Sequence, residues 1–294
     1  VTRINAPKSG LTSLTGLTGL PALIELHVPD GKLTSFEGLG DLPKLRLIDA
    51  SSNQISSLKG LEDLPALDEV RVDGNKISSL SLDGKLPSLT KLSAGKNQLT
   101  SLEGLEAYPA LAELSLQNNR LSALAGLEKA PKLTTLDVSH NELATADLDK
   151  SPASLTSLTA DHNRLEALGG ILAVTTLTTL ALRNNRLAAL DGVDKLGRAQ
   201  KLYVSNNKLT RLGPLHTMKT LQDVDASHNQ VTDASHFLAS PPSNYDLRGN
   251  ALTGVAASKL LRGRYVTSSS GTSGVRSGSR GSRYRSGGGW RSGK

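Results

Sequence analysis

Apolar residues recur along this chain in one fixed order of intervals, L-x-x-L-x-L-x-x-N-x-L, as in LTTLDVSHNEL at 133–143. The polar position inside that order keeps its own beat. Asn53, Asn75, Asn97, Asn119, Asn141, Asn163, Asn185, Asn207 and Asn229 stand 22 residues apart, and Asn250 follows after 21. A period this strict, held over this many copies, marks a solenoid rather than a closed core. Counting back from Asn53 places Gly31 and Ser9 at the same position, so the units begin at Val1, Leu23, Leu45 and so on to Pro242. That makes about twelve units, the first and last degenerate, over residues 1–253.

Within a unit, the alternating L-x-L predicts a short strand. Strands at the same place in every unit stack as a parallel sheet about 4.8 Å apart, an inner arc of roughly 50 Å over eleven steps. The asparagine falls at the turn that follows. A buried amide side chain supplies two donors and an acceptor, enough to satisfy loop backbone in its own and the adjacent unit. Gly31 lacks that side chain, so the array is expected to be weakest near its N-terminal end. The remaining half of each unit reads like SSLKGLEDLPA at 56–66, where Leu58, Leu61 and Leu64 are spaced for a tight helical or 3₁₀ turn. A glycine recurs at Gly16, Gly38, Gly60, Gly104, Gly126, Gly170 and Gly192, and a proline at Pro21, Pro43, Pro65, Pro87, Pro109 and Pro131. Glycine permits the bend and proline returns the chain to the next strand. Two units depart from this, SLDGKLP after Leu80 and ADLDKSPAS after Thr145; both predict altered convex turns. The expected fold is an α/β repeat solenoid, an arc with a concave parallel β-sheet and short helical or 3₁₀ turns on its convex side.

The unit L-x-x-L-x-L-x-x-N-x-L-x-x-L-x-G-L-x-x-L-P-x resembles the 22-residue leucine-rich repeat of the SDS22-like class, over about residues 1–253. That class includes a regulatory subunit of protein phosphatase 1, an axonemal dynein light chain, spindle-pole and centrosomal scaffolds, and splicing-factor subunits. The resemblance implies an arc that binds another protein on its concave side. Bacterial internalins share the period, usually with T-N-L where this chain has L-P-x-L.

Charge divides the chain in two. Of its 34 Lys and Arg, nine lie within 255–294, where there is no acid; the remaining 25 face 27 acids, a net of −2 for the repeats. Residues 254–265 predict a C-terminal capping helix, since Val255, Lys259, Leu260 and Leu261 have helical spacing and an open solenoid end needs a cover. Residues 266–294, rich in Ser, Gly and Arg, predict a disordered basic tail. Its Arg276, Arg280, Arg283, Arg285 and Arg291, interleaved with Tyr284 and Trp290, resemble the RGG-type segments of RNA-binding proteins. Guanidinium groups meet phosphates and rings stack on bases; the same groups suit an acidic protein or cytoskeletal surface, or a soluble terminus with no partner.

With no cysteine anywhere, there is no disulfide framework and no thiol chemistry. The absence of cysteine and of any N-x-S/T acceptor favours an intracellular setting in cytoplasm, nucleus or cytoskeleton. No apolar run reaches the roughly 18 residues of a membrane span. The chain opens on Val1 in the rhythm of the array, which suggests a piece of a longer protein. No G-x-S-x-G, phosphate-cradling loop or H-E-x-x-H motif occurs, so the expectation is a non-catalytic, monomeric scaffold without cofactor.

The third, fifth, seventh and eighth residues of each unit are expected to tile the concave face. Tyr203 is the only aromatic among them, whereas the phosphatase-binding relatives carry many. The richest cluster is Arg183, Tyr203, Asp223, Asp225, Asp246 and Arg248, an aromatic between acidic units that suits a partner's basic segment. His140 and His162, beside Asp137 and Asp161, share a column and raise a divalent-ion site against a plain polar ladder.

Overall fold

The computed structural model describes residues 1–253; the expected capping helix and the whole basic tail lie outside them. Twelve strands, each three residues long, form one parallel sheet in chain order. They are β1 (Arg3–Asn5), β2 (Glu25–His27), β3 (Leu47–Asp49), β4 (Glu69–Arg71), β5 (Lys91–Ser93) and β6 (Glu113–Ser115). The sheet continues with β7 (Thr135–Asp137), β8 (Ser157–Thr159), β9 (Thr179–Ala181), β10 (Lys201–Tyr203), β11 (Asp223–Asp225) and β12 (Asn244–Asp246). Every strand residue pairs with the one a repeat away, as Leu136 with Leu158. The last interval of 21 keeps that register, Asp223 opposite Asn244, because the missing residue is taken from the return and not from the strand.

The middle residue of each strand from β2 to β11 is buried, while its neighbours face out on the other side. Leu133, Leu136, Val138 and Leu143 of one unit are wholly buried, and the same columns form one continuous core along the array. Each such side chain contributes about 1.5–3 kcal/mol by leaving water, but only with neighbours on both sides. At the ends Ile4 and Tyr245 are therefore only partly covered. Val1, Leu11 and Ile24, the most exposed large apolar residues described, all belong to the first two units.

Each Asn of the ladder is tied the same way. Asn141 donates through Nδ2 to the carbonyls of Val138 in its own unit and Leu116 in the one before, both at 3.0 Å. Its Oδ1 accepts the Leu121 amide at 2.9 Å. Asn53, Asn75, Asn97, Asn119, Asn163, Asn185, Asn207 and Asn229 repeat the pattern, and half-buried Asn250 closes it. In the first unit no such amide exists, and the Leu11 N–H reaches only Ser9 Oγ at 3.5 Å. A Cβ on Gly31 would collide with Asn53 Oδ1, so the ladder's first amide occupies the space a side chain there would need.

The convex returns tighten into 3₁₀ turns at Leu105–Ala107, Leu127–Lys129, Gly169–Ala173, Val193–Lys195 and Gly213–Thr217. One return, Ser235–Ala239 (α1), closes as a single α-turn. There Phe237 meets Tyr245 edge to face, 5.6 Å between centroids, and fills the last rung. The altered turn after Leu80 is explained by Tyr108, fully buried, whose hydroxyl donates to the Leu80 carbonyl. Gly104 takes φ 97° directly against that turn, and a Cβ there would overlap the Ser81 amide nitrogen. Against the second altered turn, in the unit that follows it, the bend role expected of Gly170 needs correcting. Gly169, with φ 48°, makes the left-handed bend; Gly170 does not, and is required instead because the Leu148 backbone approaches too closely for a Cβ.

Candidate functional site

The concave surface consists of the first and third residue of each strand, joined by seventh-position side chains such as Asp161 and Arg183, and along most of its length it is plain. Toward the N-terminus the strands pair charges: Arg3 with Glu25 at 2.7 Å, Arg71 with Glu69 at 2.7 Å, Lys91 with Glu113 at 2.9 Å. A shallow hollow of about 270 Å³ over β4–β7 is lined by these charges and by small hydroxyl residues such as Ser93, Ser115 and Thr135. Nothing in it anchors a ligand.

From β9 to β12 the surface changes character. The Arg183 guanidinium lies 4.1 Å above the centre of the Tyr203 ring. It is held on two sides, by Asp161 Oδ2 at 3.1 Å and Asp225 Oδ2 at 3.6 Å. The Tyr203 hydroxyl donates to Asp223 Oδ2 at 2.8 Å. Burial, first, and then the Asp223 acceptor and nearby carboxylates push the Tyr203 phenol up to about 12, so it stays a donor at neutral pH. Asp225 also accepts the Ser227 amide and hydroxyl, which fixes its free oxygen toward Arg183. Asp246 and Arg248 form their own pair at the rim. Of the six residues singled out from sequence, Arg183, Tyr203, Asp223 and Asp225 thus form one bonded unit, and Asp246 and Arg248 a neighbouring one. Asp161 belongs to the first unit as well. It sits one repeat before Arg183 in the same column, a signal the spacing already contained.

The seventh column joins the concave face in part, through Asp161 and Arg183. Elsewhere in that column the short side chains of Ser139, Ser205 and Ser227 are buried. The fifth-column Ala181 is buried too. The eighth residue is left-handed in every unit and exposed in all but two, where Gly74 and Asn184 are half-buried: φ is 54° at both His140 and His162, 58° at Asn118 and 55° at Asn184 and Asn206. Asn, His and Asp tolerate this conformation better than bulky or branched residues do. The alternation of Asn and His is therefore backbone chemistry. The two histidines stack, 4.0 Å between centroids and 11° from parallel, and Asn184 Nδ2 lies 3.1 Å from His162 Nε2. Among the described residues no group of three or more His, Cys, Asp or Glu is placed to hold a metal ion. The tail's Arg276, Arg280, Arg283, Tyr284, Arg285, Trp290 and Arg291 fall outside the described residues.

Parallel three-residue strands, an asparagine ladder and short convex returns together define the leucine-rich-repeat solenoid. Residues 87–129 and 109–150 match the family model for leucine-rich repeats. No curated protein matches the sequence. Among solved structures, the chain is similar to an internalin, InlF, from Listeria monocytogenes, at 19% identity and TM-score 0.67 over 87% of this chain and 83% of that one. It is similar to the leucine-rich-repeat domain of APL1B at 26% identity, TM-score 0.64, over 80% and 68%. A chain of the LRIM1/APL1C complex aligns at 22% identity and TM-score 0.70, over 86% of this chain and 49% of that one. Among the described residues no helix is long and apolar enough to cross a membrane.

Proposed function

We propose that the protein is a non-catalytic scaffold of SDS22-like type that binds another protein across β9–β12, through a partner segment carrying a basic side chain. The observation that carries this reading is the Arg183–Tyr203 stack inside a ring of carboxylates. Tyrosine and arginine are the residue types that most often dominate protein interfaces. Here both are held in place before any partner arrives, which lowers the ordering cost of binding. Asp223, Asp225 and Asp246 supply acceptors at the rim for an incoming Lys or Arg. The APL1C complex, with its related fold, is consistent with such a role. The basic tail adds affinity for an anionic surface, and its composition also supports a second reading, an RNA-associated adaptor.

A display library of random peptides selected on the full-length protein tests the first reading. The expected outcome is enrichment of Lys- or Arg-containing peptides whose binding falls at least about tenfold with Tyr203→Ala or with Asp223→Asn/Asp225→Asn. Enriched acidic peptides, or binding indifferent to both variants, overturns it.

A further inference from the structure

The sheet has two lateral edges, and they differ sharply in charge. At the N-terminal ends of the strands runs a neutral ladder of hydroxyls, with Thr134, Thr156 and Thr178 each donating to a carbonyl one unit back. At the C-terminal ends lie the eighth and tenth residue of each unit. From the fourth to the tenth unit these positions hold Lys76, Lys96, Arg120, Arg164, Arg186 and Lys208 against one acid, Glu142. The repeats as a whole are net negative, so this edge concentrates cations that the composition hides.

All six cations are exposed, yet their backbone is not loose. The amides of Arg120, Arg164, Arg186 and Lys208 each donate to the preceding unit at 2.8–2.9 Å. The charges are thereby set in a line, one per unit over the last three, at roughly 5 Å intervals. Glu142 is engaged by Arg164 at 3.1 Å and Arg186 reaches Glu166 only at 4.0 Å. Among the described residues Lys96, Arg120 and Lys208 have no carboxylate within 4.0 Å.

A rigid line of cations suits a linear polyanion with a charge every few ångströms. What selects among polyanions is set between the cations. The exposed His140–His162 stack lies midway along the edge, with Arg120 and Arg164 flanking it in sequence order, and the exposed amides of Asn118 and Asn206 stand to either side. Aromatic faces and guanidinium planes take unstacked bases, and amides read their edges; an acidic peptide without aromatic side chains would leave the ring faces unused. The geometry points to a binding edge for single-stranded nucleic acid on the folded repeats themselves, running from Lys76 to Lys208 and independent of the basic tail. It is separate from the concave protein-binding surface, so either can fail without the other.

The test uses the full-length protein and a fluorescein-labelled oligouridylate of about 20 nucleotides, with affinity measured across a salt series. An edge variant carries R120E, R164E, R186E and K208E. A control carries the same number of reversals on the convex returns, K44E, K85E, K132E and K195E, and has the same net charge and the same tail. The edge variant is expected to bind at least about tenfold more weakly and to lose about 3 from the salt slope, near 0.7 per contact. The control is expected to retain the wild-type slope. H140A/H162A is expected to weaken binding about fivefold or more without changing the slope. Circular dichroism confirms that each variant is folded. Equal losses in edge variant and control, or competition by polyglutamate as effective as by unlabelled oligouridylate, overturns the proposal.

Discussion

Asn141 makes four buried bonds at once, so its replacement is more than the loss of one contact. Asn141→Ala leaves the buried Leu121 amide without a partner and takes one of two asparagine donors from each of the Val138 and Leu116 carbonyls, which keep Asn163 and Asn119. The stranded amide costs about 1–3 kcal/mol and the two weakened carbonyls add to it, so urea denaturation is expected to show a loss of about 2 kcal/mol or more. Asn250→Ala, at a half-buried end, is expected to cost clearly less. Tyr108 carries a pH signature. Burial holds its phenol well above the ordinary tyrosine range, whereas in the unfolded chain it ionises near pH 10. The folded state therefore binds the proton more tightly, and stability is full below pH 10 and falls as pH rises beyond it. Tyr108→Phe is expected to be less stable at neutral pH but to show a shallower alkaline decline. Burial, and then the charge on His140, lower the His162 imidazole below its usual range. In an NMR titration its pKa is expected to rise in His140→Ala. The ladder's asparagines were legible from spacing alone, because a 22-residue beat admits few explanations. The left-handed eighth column was not. Its Asn and His residues read as a polar ladder, and only the backbone shows φ near 55° at each.

At the scale of the element, the strands were the most legible part, since each is three residues flanked by buried columns. The convex returns were less so, because their shapes depend on neighbouring units. SLDGKLP reads as an irregular loop until Tyr108, 28 residues beyond Leu80, is seen to hold it. Gly104 and Gly126 expose the difference within one column. Both take φ 97°, but a Cβ at Gly104 overlaps Ser81 while at Gly126 the nearest atom is 3.7 Å away. Gly126→Ala is therefore expected to cost only backbone strain, about 1 kcal/mol. Gly104→Ala adds a backbone collision and is expected to cost at least about twice that in thermal or urea unfolding. Equal losses at the two sites would show that the turn after Leu80 yields.

Over the whole molecule, charge and shape divide the labour. The core repeats along the array and the asparagine ladder from Asn53 to Asn250, and neither carries specificity; the surfaces that differ from one unit to the next do. The concave cluster was partly legible, since Tyr203 stands alone among polar columns. Asp161 already stood one unit before Arg183 in the same column, but the direction of the guanidinium is what joins it to the cluster. The basic edge was hidden by a nearly neutral repeat composition. The most direct test of the protein-binding role is a hydrogen-exchange footprint of the full-length protein with a peptide selected on it. Slowed exchange is expected in β9–β12 and the loops that follow them, and is expected to vanish in Tyr203→Ala. Slowed exchange confined to the convex returns, or unchanged in that variant, would contradict the assignment of this surface.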